Sequence, residues 1–200
     1  MKKELCLVAL TGLLCTTAAM ANEELEGTNE ENGTFRHKEE KVYVAIKGLV
    51  TNGDTIKDED TTTKGTNGVG VGIDLGYRTG YGINFEVDYA YTKLDVTEKT
   101  ATEETTTTGD YHSISFDALY AYHINEPLAI FAKAGVEYEI EKIDKLDVDK
   151  SDTGFLYGAG VEYEIKENMA LIFEYENSTI DGPKGYTLAA GLVIGLNILD

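Results

Sequence analysis

Proline occurs twice in the chain, tryptophan is absent, and the two cysteines, Cys6 and Cys15, both lie close to the N-terminus. Positive charge is also scarce: 17 Lys and Arg stand against 36 Asp and Glu, a formal charge of -19. Each shortage excludes something. With so few prolines, long extended segments can run without interruption. A surface this acidic repels phosphates, so nucleic acid is not an expected partner. After the first 21 residues no apolar run reaches the length of a membrane helix. If the chain crosses a bilayer, it must do so as a closed barrel, the other form that pairs every backbone group in lipid.

The N-terminus supplies a destination. Lys2 and Lys3 precede an apolar run over 5–14 that closes on Ala19-Met20-Ala21, the layout of a secretory signal peptide cleaved after Ala21. Leu14 stands before Cys15 where a lipoprotein signal needs a small residue, so a lipid-anchored start is not expected. Both cysteines fall within residues 1–21, so the mature chain has no thiol, disulfide or cysteine-ligated metal. Losing Lys2, Lys3 and Glu4 also leaves the mature form slightly more acidic. Residues 22–40, NEELEGTNEENGTFRHKEE, are polar and without period and read as a flexible periplasmic leader.

From Lys41 a single domain, 41–200, is built on alternation. The stretch YGINFEVDYAYTKL sets Tyr81, Ile83, Phe85, Val87, Tyr89 and Tyr91 against Gly82, Asn84, Glu86, Asp88, Ala90 and Thr92. Similar segments are predicted over 42–49, 68–78, 111–124, 128–140, 155–165, 169–177 and 185–198. That makes eight strands, each about ten residues long, as a tilted transmembrane strand requires. Short connections around Thr79-Gly80, Asn125-Glu126-Pro127 and Lys166-Glu167-Asn168 alternate with longer charged ones at 51–67, 95–110, 141–152 and 179–184. Such asymmetry suits an outer-membrane barrel with short periplasmic turns and longer outer loops, and a soluble sandwich has no need of it.

The pattern also predicts which parity faces out. One parity is almost wholly Val, Ile, Leu, Phe, Tyr or Ala, while the other carries more charge than a packed soluble core tolerates. The apolar face therefore meets lipid, with tyrosines near the strand ends as an aromatic girdle. A secreted soluble barrel of the lipocalin kind is the alternative. In its hairpin YGAGVEYEIKENMALIFEYE and its glycine-rich last strand GYTLAAGLVIGLNI, the chain resembles the small eight-stranded outer-membrane barrels of the OmpA/OmpX-type porin-like family of Gram-negative bacteria. The resemblance implies an all-β, antiparallel up-and-down barrel in the cell outer membrane, among outer-membrane lipid and lipopolysaccharide, and monomeric. Chains of that family usually close on an aromatic residue used in assembly, whereas this one closes on Ile198-Leu199-Asp200. Nor is a peptidoglycan-binding domain of the OmpA kind expected.

An eight-stranded barrel is just wide enough for its side chains to fill. The inward parity places Lys47, Asp74, Glu86, Asp88, Asp117, Lys133 and Glu174 near mid-height, with Glu137 toward the outside and Glu162 toward the periplasm. These residues are predicted to form a charge network that plugs the lumen around the two lysines. Because acids outnumber bases there, a narrow cation-selective pathway is the alternative. Inward glycines, among them Gly76, Gly158 and Gly160, leave room for larger side chains opposite and ease strand bending, the latter being the main reading. The heptapeptide AGVEYEI at 134–140 and again at 159–165 is read as hairpin repetition rather than a metal site.

The longer connections 51–67, 95–110 and 141–152 are the expected place for an extracellular ligand. Their threonine tracts, 61–63 and 105–108, are read as flexible, and the acidic run DKLDVDKSD lacks the spacing and glycine of a calcium loop. Enzymatic activity is not expected. The nearest candidate constellation fails because Ser113 and Ser115 lie on the opposite face from His112. No catalytic residue, cofactor or metal is predicted. The expected role is structural or surface-interactive; a lipid-modifying enzyme is the remote alternative.

Overall fold

The computed structural model describes residues 41–58, 60–143 and 146–196. The signal peptide expected at 1–21, the leader at 22–40 and the chain end at 197–200 lie outside the described residues.

The strands are β1 (Lys41–Gly53), β2 (Thr55–Lys57), β3 (Thr62–Gly65), β4 (Gly68–Arg78), β5 (Ile83–Lys99), β6 (Glu104–His123), β7 (Leu128–Ile143), β8 (Val148–Lys166), β9 (Met169–Ser178) and β10 (Lys184–Leu196). Eight of them form a ring in which β1 pairs with both β4 and β10, and a β5–β6 ladder completes the circle. All of these ladders are antiparallel, so within the ring every strand has two neighbours and no edge is left bare. The fold is a closed up-and-down β-barrel.

Three tight turns lie at one end. In the first, Gly82 takes a φ of +80°, a left-handed conformation that a side chain resists, and Thr79 N–H donates to the Ile83 carbonyl at 3.0 Å. This turn claims Tyr81 and Gly82, so β5 starts at Ile83 rather than at Tyr81. The second turn is tied by Asn125, whose side-chain oxygen accepts from Leu128 N–H at 3.1 Å.

At the other end the expected loops are mostly strand. β5 and β6 continue as a ladder to the Lys99↔Glu104 pair, and β7 and β8 to Ile143↔Val148. Within 51–67 the hairpin β2–β3 forms, and β3 pairs with the far end of β5. The threonine tracts 61–63 and 105–108 are largely ladder, contrary to the flexible reading. Threonine is β-branched and favours extended backbone wherever a partner strand is in reach. Thr97 and Thr106 face each other across β5 and β6, hydroxyl to hydroxyl at 2.9 Å.

The outward parity forms a continuous apolar band. Ile46, Val69, Val71, Ile73, Val87, Phe116, Val136 and Phe173 are each at least half exposed, which a water-facing surface would not sustain over such an area. Tyr77, Tyr81, Tyr120, Tyr122 and Tyr163 border it near the tight turns, and Tyr89, Tyr138, Tyr157, Tyr175 and Tyr186 near the other end. From Ile83 to Tyr91 a strand rising about 3.3 Å per residue at a tilt of roughly 40° covers about 20 Å of height. That covers most of the apolar band of a membrane barrel, about 25 Å tall. Above it the outward side chains of β5 turn polar, with Lys93, Asp95 and Thr97.

Inside, the side chains form three layers. Toward the tight turns Tyr43, Ala45, Leu119, Phe131, Ala170, Ile172 and Val193 pack as an apolar floor. Above it lies the charge layer described below. In the projecting strands Leu94, Val96, Tyr111 and Ile143 form a second apolar cluster, flanked by Leu146 and Val148. Two inward glycines belong to the floor, and the bending reading does not account for them. Gly76 lies directly across from Tyr43, and Gly160 across from Phe131, so a β-carbon at either site would overlap the facing ring. These glycines make room for the aromatic rings that fill the barrel base.

Candidate functional site

The nine inward residues singled out from sequence are all buried. β1 carries Lys47, β4 Asp74, β5 Glu86 and Asp88, β6 Asp117, β7 Lys133 and Glu137, β8 Glu162, and β9 Glu174. Strand alternation aims each inward, and the register sets its height.

Seven of them meet in one cluster at mid-height. Lys47 Nζ lies 2.9 Å from Asp74 Oδ2 and 2.8 Å from Glu174 Oε2. Lys133 Nζ lies 2.9 Å from Asp88 Oδ2, 3.6 Å from Asp117 Oδ2 and 3.8 Å from Glu86 Oε2. The two lysines share an eighth member, Glu176, whose Oε1 lies 2.6 Å from Lys133 Nζ and 3.5 Å from Lys47 Nζ. Neutral donors complete it: Tyr43 hydroxyl donates to Glu86 Oε1 at 2.6 Å, and Ser115 hydroxyl to Asp117 Oδ2 at 2.8 Å.

The other two residues lie apart from this cluster. Glu137 belongs to an upper group in which Lys184 Nζ lies 3.1 Å from Glu137 Oε1 and also pairs with Glu139. Tyr111 hydroxyl donates to Glu141 Oε1 at 2.7 Å in the same region. Glu162 lies near the tight turns, where Arg78 Nη2 bonds its Oε2 at 2.8 Å while stacking over the Tyr43 ring.

Sequence reasoning leaves Glu176, Lys184, Arg78 and Tyr43 out of the network. Glu176 has the inward parity of Glu174, and the next inward step along β9 reaches it. Lys184 falls in a stretch read as a loop, whereas it begins β10, and Arg78 ends a strand at the barrel rim.

The balance of this site is its main chemical feature. In the central cluster six carboxylates, Asp74, Glu86, Asp88, Asp117, Glu174 and Glu176, surround two ammonium groups. Several lie directly against each other: Asp74 faces Asp88 across β4 and β5, and Glu86 faces Asp117 across β5 and β6. Like charges directly opposite on adjacent strands destabilise a sheet. Asp74 Oδ1, Glu86 Oε2, Asp88 Oδ1, Asp117 Oδ1 and Glu174 Oε1 are buried without a hydrogen-bond donor. Two small cavities, about 30 Å³ near Lys41 and Glu164 and about 10 Å³ near Asn84 and His123, lie on the tight-turn side of the cluster.

On the outer surface His112 shares a hydrogen bond with the Tyr89 hydroxyl at 2.9 Å, and Ser113 and Ser115 point inward into the charge layer. Above the apolar band Lys93 pairs with Asp110 at 3.1 Å, and Asp110 faces Lys142 across the β6–β7 ladder.

Known proteins of similar sequence and fold agree on one kind of molecule. The model of the outer membrane protein beta-barrel domain family matches residues 6–194. Outer membrane protein X of Enterobacter cloacae is 30% identical over 206 residues, covering 96% of this chain and 98% of that protein. Among solved structures, OprG of Pseudomonas aeruginosa is similar with a TM-score of 0.67 at 12% identity, covering 81% of this chain and 98% of OprG. Ail, the attachment invasion locus protein of Yersinia pestis, in complex with the heparin analogue sucrose octasulfate, gives 0.51 at 19% identity, covering 78% and 97%. At these identities the structural likeness speaks for the fold alone.

Proposed function

The chain belongs to the outer membrane protein beta-barrel domain family and is an outer-membrane barrel, and from that premise we propose that it is a closed, non-enzymatic barrel whose projecting strands serve surface interaction. One observation carries the proposal: the ladders β5–β6 and β7–β8 continue beyond the apolar band, support the hairpin β2–β3, and enclose an apolar cluster of their own. Lipid anchoring needs strands only as tall as the band, so the additional ordered height supports a task outside the membrane. In the strand order β2 lies at the end, among the described residues it pairs with β3 alone, and it offers an edge beside acidic neighbours.

The partner proposed is cationic. The projection carries Asp58, Asp60, Asp95, Glu98, Glu103, Glu104, Asp147 and Asp149 against Lys57, Lys64, Lys99 and Lys150. A polyanion of the kind held by Ail would be repelled by that surface. Lipopolysaccharide and other outer-membrane lipids are the proposed neighbours of the band, with Lys93 and Lys142 at head-group height, and the barrel acts as a monomer.

A second reading, a narrow cation pathway, draws on the excess of carboxylates at mid-height. Against it stands the apolar floor, drawn from β1, β6, β7, β9 and β10, which underlies the charges on the tight-turn side. Conductance of the refolded barrel in a planar bilayer tests both readings. A silent membrane holding demonstrably folded protein is expected, whereas steady cation-selective steps altered by Lys133→Glu would overturn the plug. For the surface role, vesicles bearing the barrel should capture polylysine and not heparin, and lose that capture when the β5–β6 hairpin is shortened.

A further inference from the structure

The charge layer contains a place where a positive charge is missing. Asp74, Glu86 and Asp88 each offer one carboxylate oxygen, and these oxygens all lie within 4.8 Å of one another. All three residues are buried, and each has an oxygen with no hydrogen-bond donor. The flanking lysines do not fill the place. Lys47 approaches Asp74 through Oδ2, Lys133 approaches Asp88 through Oδ2, and Lys133 remains 3.8 Å from Glu86. Asp74 and Asp88 are a direct cross-strand pair, so backbone pairing holds these like charges together.

We propose that the barrel lumen binds one divalent cation of calcium size between Asp74, Glu86 and Asp88. The ligand set is all oxygen, which suits hard cations and not zinc or copper. Coordination geometry then selects among them. Calcium, with flexible coordination at about 2.4 Å, tolerates an irregular all-carboxylate site set by three separate strand positions, while magnesium demands near-ideal octahedral geometry at about 2.1 Å. Two added positive charges offset part of the surplus left by six carboxylates around two lysines, and they relieve the Asp74–Asp88 opposition in particular. The inference rests on the closed lumen proposed above, because an open pore would let the ion exchange with the medium.

The test is metal content after refolding. Full-length mature barrel is refolded in detergent with calcium, washed with chelator, separated from free metal by gel filtration, and measured by elemental mass spectrometry. About one calcium per folded barrel is expected. The charge-neutralising pair of substitutions Asp74→Asn and Asp88→Asn should lower retained calcium roughly tenfold or more without loss of folding, since it also removes repulsion. Substituting the exposed Asp147, Asp149 and Asp152 by Asn should leave the content unchanged. Folded wild-type barrel without retained calcium overturns the proposal, as does undiminished calcium in the Asp74/Asp88 variant. Conductance separates the two ideas: an open pore with no retained calcium refutes the closed lumen, and a silent barrel with none refutes the cation site alone.

Discussion

Lys133→Met is the most informative single perturbation of the charge layer. The ammonium is fully buried and lies within 4 Å of four carboxylates, Glu86, Asp88, Asp117 and Glu176. At separations of 2.6–3.8 Å and an effective dielectric near 20, each contact is worth about 4–6 kcal/mol of gross attraction. Most of that is offset by the desolvation of the partners, and the net cost of removing one partner from a buried ion pair is about 3–5 kcal/mol. Methionine is close to lysine in length and apolar, so the loss measures charge rather than a cavity. Urea unfolding of the barrel in detergent, followed by circular dichroism in the presence of chelator, should move the midpoint down by about 2 M if the slope is about 2 kcal/mol per molar. Asp117→Asn, equally buried, provides the opposite sign: it removes one of the majority charges and should be neutral or stabilising. The exposed pair Lys93–Asp110 sets the scale for a surface contact, and Lys93→Met should cost less than about 1 kcal/mol. If Lys133→Met moves the midpoint no further than Lys93→Met, the lumen is hydrated enough to treat its charges as surface charges. The plug would then fail as an explanation.

Two other perturbations probe the layers on either side. Gly160→Ala puts a methyl into the Phe131 ring and against the Phe173 carbonyl and should cost about 1–3 kcal/mol in the same urea assay, with partial recovery when Phe131→Leu is added; no recovery at all would sink the room-making reading. Val96→Asp introduces a charge into the fully buried upper cluster, so proteinase K should trim the projecting strands while a fragment spanning the apolar band persists. Protection like that of the unchanged barrel would mean that the upper cluster does not hold the projection together.

The barrel is legible in the sequence because its outer face obeys a period-2 rule over strand after strand, and a lipid-facing parity tolerates few exceptions. The tight turns are legible in part: Asn125 occupies a position that demands its chemistry, whereas Gly82, read as part of a strand, proves to be the left-handed turn residue. The projection is not. Its outward residues are threonine and charge, so alternation between solvent and a small inner cluster shows as Leu94, Val96 and Tyr111 spaced among polar residues. A strand in water and a loop in water have nearly the same composition, and only cross-strand pairing separates them. The charge layer is half legible: parity identifies which residues point inward, but pairing depends on height and on which strands face each other across the lumen. Glu176 illustrates this. It bridges Lys47 on β1 and Lys133 on β7, both remote from it in sequence and neither on a strand that pairs with its own, so no local spacing announces the contact.

The repeated heptapeptide AGVEYEI shows how far height governs chemistry. Both copies alternate identically and both present glutamates inward, yet they run in opposite directions along paired strands. In the first copy Glu137 and Glu139 rise to meet Lys184 from β10. In the second, Glu162 descends to Arg78 at the end of β4, where the guanidinium also covers the Tyr43 ring of the floor. The two copies thus flank the central cluster from above and below, each paired with a cation of its own, Lys184 for Glu137 and Glu139 and Arg78 for Glu162. Asp74, Glu86 and Asp88 are left to the two lysines at mid-height, which contact them on one side only. The surplus of negative charge is therefore greatest at the centre of the barrel, where six carboxylates share two lysines.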